Sequence, residues 1–76
     1  MNRYQLLNKN KNILFTFIKN GILSYQINRD MEIYENYIML DDTLTNEVKH
    51  FILGEQFELS SKRIQQILYN MQKDII

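Results

Sequence analysis

The residues with the most recognisable chemistry lie close together near the C-terminal end: Ser60-Ser61-Lys62-Arg63-Ile64-Gln65-Gln66-Ile67-Leu68-Tyr69. A glutamine amide can hold adenine through two hydrogen bonds, and a lysine can meet the acceptors of guanine. A serine at a helix N-terminus, with the free backbone N–H groups beside it, can hold a phosphate. Arg63 is spaced for a backbone phosphate or for Glu55 or Glu58. If Ile64, Ile67, Leu68 and Met71 face a core, then Ser61, Lys62, Gln65, Gln66 and Tyr69 lie outward or at the flank. This is the chemistry of recognition rather than of bond-making. The same polar residues also suit a plain solvated helix face.

Catalytic chemistry has little to work with. The chain has one histidine, His50, and no cysteine. Disulfides and cysteine-containing zinc sites are therefore excluded. Asp41-Asp42 beside Glu47 resembles a carboxylate cluster, but the start of a helix explains it better than a metal does. No Ser/His/Asp or Cys/His set and no glycine-rich phosphate loop is present. We therefore expect no enzyme, no cofactor and no metal. His50 reads as a surface or half-buried helix residue, and Tyr25, Tyr34 and Tyr37 as core or dimer interface.

The elements that must position these residues are helical. A first helix is expected from about Asn10 to Asn20, with Ile13 or Leu14, Phe17 and Ile18 as its stripe and Gly21 as a left-handed stop. A second follows Ser24 as N-cap and runs to about Leu40. Ile27, Met31, Tyr34 and Ile38 give it one stripe, and Ile33, Tyr37 and Leu40 a neighbouring one. Thr45 or Asp42 caps a third helix that ends near Phe57, with Val48, Phe51 and Ile52 as its apolar residues. Ser60 caps a fourth, expected over 61–74, with Ile64, Ile67, Leu68, Met71 and Ile75 inward. The stretch Ile22 to Ile33 could pass for a strand, but its spacing favours helix. The expectation is a small all-α domain of three to four helices, 1–42 holding the N-terminal ones and 43–76 a helix-turn-helix.

The segment Leu53-Gly54-Glu55-Gln56-Phe57-Glu58-Leu59-Ser60-Ser61-Lys62-Arg63-Ile64-Gln65-Gln66-Ile67-Leu68 resembles the helix-turn-helix of sigma-factor region 4 and of Mor-like phage activators. The resemblance implies that Gly54 stands where two helices approach closely, a place where alanine would also fit. It implies that Phe57 closes the first helix, Leu59 plugs the angle and Ser60 caps the recognition helix. Glu58 takes a turn position where glycine is common, so its backbone must tolerate the left-handed region. The resemblance implies a transcriptional regulator of phage or mobile-element type that binds duplex DNA. Ser60, Ser61, Lys62, Arg63, Gln65, Gln66 and Tyr69 would form its DNA-binding surface.

Charge and size qualify that reading. The net charge is zero, but Met1 to Ser24 carries four cations and no acid. Tyr25 to Glu58 carries eight acids against two bases, and the rest of the chain is weakly basic. Neutrality argues against strong nonspecific binding, yet a local basic surface remains compatible with it. The acidic middle supports the alternative, a protein-interaction module such as an adaptor or anti-regulator of the transcription machinery. A small phage assembly protein is a third reading. A chain of 76 residues buries a limited core, and with no disulfide or metal a partner subunit is the expected staple, so a homodimer is expected. Tyr34, Tyr37, Ile33 and Leu40 are the residues expected to make it. No segment suits a membrane span, and the faint basic-then-apolar start lacks a small-residue cleavage site. The expected location is the cytoplasm.

Overall fold

The computed structural model describes residues 1–21 and 24–74. Among them are five helices: α1 (Arg3–Lys9), α2 (Lys11–Lys19), α3 (Tyr25–Met39), α4 (Asn46–Phe57) and α5 (Ser61–Gln72). The fold is all-α, with one helix more than the expected three to four. The additional helix, α1, has no apolar period to announce it. It is started by a capping box instead: the Gln5 N–H donates to Asn2 Oδ1 at 2.8 Å, and the Asn2 N–H donates to Gln5 Oε1 at 2.9 Å.

Two asparagines punctuate the N-terminal half. The Asn10 side-chain amide donates to the Leu6 carbonyl at 2.9 Å, and that of Asn20 to the Thr16 carbonyl at 2.8 Å. The first satisfies a carbonyl that the Asn10 backbone N–H leaves for Leu7, so α1 stops and α2 begins at Asn10, and the second shares the Thr16 carbonyl with the Asn20 backbone N–H at the end of α2. Gly21 then takes φ 74°, the left-handed stop expected of it. Ile22 and Leu23, in the stretch weighed as a strand, lie outside the described residues, and from Tyr25 onward that stretch is helix. Ser24 caps α3 by accepting from the Gln26 N–H at 3.0 Å.

Between α3 and α4, Asp41 Oδ1 accepts from the Thr43 N–H at 2.9 Å and from its hydroxyl at 3.0 Å. The backbone bond, followed by the hydroxyl bond, holds the Asp41 carboxyl below the usual carboxylate range. Thr45 rather than Asp42 caps α4, accepting from the Val48 N–H. Among the described residues no group of three carboxylate, histidine or cysteine side chains could hold a metal.

The core is built from α3, α4 and α5. Ile33, Leu53, Ile64, Ile67 and Leu68 form one buried cluster, and Tyr34, Tyr37, Leu40, Phe57 and Leu59 pack against it. α5 touches α1, α3 and α4, so it is the central element. Its inward stripe is as the periodicity predicts: Ile64, Ile67, Leu68 and Met71 are all buried. Ile75 lies outside the described residues. α5 ends at Gln72 rather than 74 because Lys73 turns extended and its carbonyl accepts from the Arg3 N–H at 3.1 Å.

The inward faces differ in part from what the apolar residues suggest. Of those named for α4, Val48 and Phe51 are exposed and Ile52 is half-buried, while Leu53, with Lys49 and Gly54, is buried. Lys49 is only 8% exposed because its stem lies inward and its ammonium sits over the Tyr37 ring, 5.2 Å from the centroid. Ile33 is buried in the chain's own core, and Tyr34, Tyr37 and Leu40 are half-buried against it, so part of the apolar surplus read as a dimer surface packs within one copy. Tyr25, expected in the core or a dimer interface, is exposed and so lies outside the core.

Candidate nucleic-acid interface

α4 and α5 are joined by Glu58, Leu59 and Ser60, a helix, a three-residue turn and a helix. The turn is tight because the Leu59 N–H donates to the Gly54 carbonyl at 2.9 Å. That bond brings the Leu59 backbone against Gly54. A Cβ on Gly54 would stand 2.6 Å from the Leu59 carbonyl oxygen, well inside contact distance. The close approach expected at Gly54 is therefore present. The expectation that alanine would fit there is overturned, since the obstacle is backbone and cannot swing aside. Glu58 sits at φ 58° and ψ 44°, the left-handed conformation that a non-glycine residue adopts at a cost. Leu59 is half-buried against the core and fills the angle between the helices.

Ser60 starts α5. Its Oγ accepts from the Arg63 N–H at 3.1 Å, which leaves the N–H groups of Ser61 and Lys62 open at the helix end. Ser60, Ser61, Lys62, Arg63, Gln65, Gln66 and Tyr69 are all exposed, with Ser61 and Arg63 at the flanks of the buried stripe. Lys62, Gln65, Gln66 and Tyr69 converge on one shallow, open depression. Those four occupy the centre of the outward face, because steps of three and four residues return to the same side of a helix.

Arg63 departs from its expected partners. Its guanidinium donates to Gln66 Oε1 at 3.4 Å, a long bond, and among the described residues no carboxylate lies within ion-pair distance of it. Glu55 and Glu58 are exposed and unpaired with it. α5 itself carries two cations and no acid, so its outward face is mildly positive, with Glu58 a negative charge at its base.

A group that the sequence pattern did not show supports this face from the side. Tyr37 Oη donates to Asn46 Oδ1 at 3.1 Å, and the His50 ring stacks on Tyr37 with centroids 6.5 Å apart. With Gln65 and Tyr69 they line a second hollow beside the first. Its parts come from α3, α4 and α5, far apart in sequence, so no local spacing could reveal it. Comparison with family models, with curated proteins and with solved structures gives no match for this chain.

Proposed function

We propose that the chain binds duplex DNA through the outward face of α5 and acts as a sequence-specific transcriptional regulator. The observation that carries this reading is the division of α5. Four apolar residues are buried, and every outward residue is a hydroxyl, an amide, a cation or a tyrosine, with no carboxylate among them. A helix of about 10–12 Å diameter enters the major groove. Gln65 and Gln66 then meet base edges. Ser60, Ser61, Lys62 and Arg63 meet phosphates, and Tyr69 packs along the groove wall. A reader this small has few contacts, so a homodimer on two half-sites suits it. The cytoplasm and a phage or mobile element are the setting in which such a regulator would work. No described helix is long and apolar enough to cross a membrane.

Selection of duplexes from a random pool at low salt tests the reading directly. Gln65→Ala and Gln66→Ala should each weaken a selected site by about 1–3 kcal/mol and relax its sequence preference. Lys62→Ala and Arg63→Ala should weaken all duplexes more evenly and flatten the salt dependence. Helical content should not change in any of the four. Failure to shift any duplex at low salt would sink the reading.

One observation favours the second reading, a protein-interaction module that touches the transcription machinery. α4 presents Val48 and Phe51 to solvent between Glu47 and Glu55. Phosphates would avoid such a face, and a protein partner could cover it.

A further inference from the structure

Two exposed apolar faces of this chain carry opposite charge. The first is on α2. Ile18 is buried and Leu14 half-buried against α3, while Phe15 remains exposed, by 48%, with Ile13 and Phe17 exposed on the other flank of the helix. Lys11 and Lys19, four residues either side of Phe15, border it, both exposed, and no acid occurs before Asp30. The second face is the outward side of α4, where Val48 and Phe51 are exposed, Phe51 by 60%. Glu47 and Glu55 border it. The one cation that α4 has, Lys49, is withdrawn under Tyr37, so nothing on that face offsets its carboxylates.

The dimensions of the molecule point to missing coverage. Its radius of gyration is 13.0 Å, with extents of 38 × 28 × 18 Å. A compact domain of this length has a radius near ~11 Å. Its accessible surface of 5559 Å² likewise exceeds the roughly 5000 Å² of a folded monomer of this mass. The excess belongs to a thin molecule that leaves large apolar side chains in water.

We propose that a second copy of this chain covers these faces, with the basic apolar face of α2 in one copy seated on the acidic apolar face of α4 in the other. Phe15 and Phe51 are the anchors. Lys11 and Lys19 meet Glu47 and Glu55 around them, which sets the register and rejects the pairing of like faces. The contact uses none of the outward residues of α5, so it stands whether or not the chain reads DNA. It also places lysines over two of the carboxylates that would repel a phosphate backbone.

Sedimentation of the full chain at tens of micromolar tests it, with circular dichroism confirming that each variant keeps its helices. The parent should sediment above the monomer mass and dissociate as salt is raised. Phe51→Ala and Phe15→Ala should each raise the dissociation constant about tenfold or more. Two charge reversals give the sharper test. A chain with Lys11→Glu and Lys19→Glu, and another with Glu47→Lys and Glu55→Lys, should each be monomeric alone and associate when mixed. That mixed association should still be lost with Phe51→Ala, which separates a seated contact from attraction between net charges. If the double reversals do not fold, the narrower pair Lys19→Glu and Glu55→Lys asks the same question. A monomer at every concentration overturns the proposal. So does association indifferent to both phenylalanines, or reversed chains that fail to associate when mixed. Binding of the chain to anionic lipid vesicles through α2, with no self-association, would assign that face to a membrane surface and overturn it as well.

Discussion

Gly54 and Glu58 are the two residues on which the turn depends, and each has an exposed prediction. At Gly54 the Leu59 carbonyl leaves no room for a Cβ. Alanine would gain about 1 kcal/mol of helix propensity and meet a clash that typically costs about 1–3 kcal/mol. Gly54→Ala should therefore lose stability in a denaturant titration, and Gly54→Val should lose more. An alanine variant as stable as the parent would mean that the helices do not approach as described. Glu58 carries the opposite prediction. Its left-handed backbone costs roughly 1 kcal/mol that glycine would not incur. Glu58→Gly should raise the melting temperature, offset in part by the added freedom of the unfolded chain. It should also tighten duplex binding, because it removes a negative charge from the base of α5. A variant that melts lower than the parent would show that Glu58 is held there by something other than its backbone.

Among the elements, legibility followed the kind of signal each one sends. α5 could be read almost completely, because a single core on one side imposes a single helical period and Ser60 marks its start. Ser24, Thr45 and Gly21 were likewise readable, since caps and stops are local chemistry. The phase of α4 is not legible from its apolar residues. Apolar residues are assumed to face inward, but here Lys49 lies inward and Phe51 outward, an arrangement set by where Tyr37 lies in three dimensions. α1 was not foreseen because it is held by polar contacts. Tyr4 Oη donates to Glu35 Oε2 at 2.8 Å, and its ring rests on Tyr34 with centroids 4.6 Å apart. Burial, and then the bond to Glu35, push the Tyr4 hydroxyl up to about 12. A group whose value is raised on folding favours the fold while it stays protonated. That contribution is whole below the ordinary tyrosine value of about 10 and is lost as pH rises through about 12. Between those limits the parent should lose more stability than Tyr4→Phe, as measured by urea unfolding at several pH values. Equal losses would show that α1 is not held by this hydroxyl.

At the scale of the whole molecule, charge decides how a duplex can be held. α5 offers two cations, Lys62 and Arg63, on a chain of zero net charge. If those two are the phosphate contacts, the logarithm of affinity should fall with the logarithm of salt at a slope of about −2 per bound copy. A slope steeper than about −3 per copy would bring the four cations of the basic N-terminal third into the interface. The candidate site was half visible in the sequence. The outward residues of α5 could be named from spacing alone. The hollow built by Tyr37, Asn46 and His50 beside them could not, because it exists only where three helices meet.

The two ends of the described chain meet. Asn2 and Asp74 form an antiparallel bridge, the Arg3 N–H reaches the Lys73 carbonyl at 3.1 Å, and the Met1 ammonium lies 3.2 Å from Asp74. A protein without cysteine can thus be given a covalent staple with no new side chain, by backbone cyclisation. A short flexible linker from residue 74 to residue 2 would span a gap that the fold has already closed. The ring would restrict only the unfolded chain. For a loop of this length that restriction is worth up to about 4 kcal/mol, less whatever strain the join introduces. Because the join alters none of the outward residues from Ser60 to Tyr69, the cyclic form would keep them while its two ends are held together.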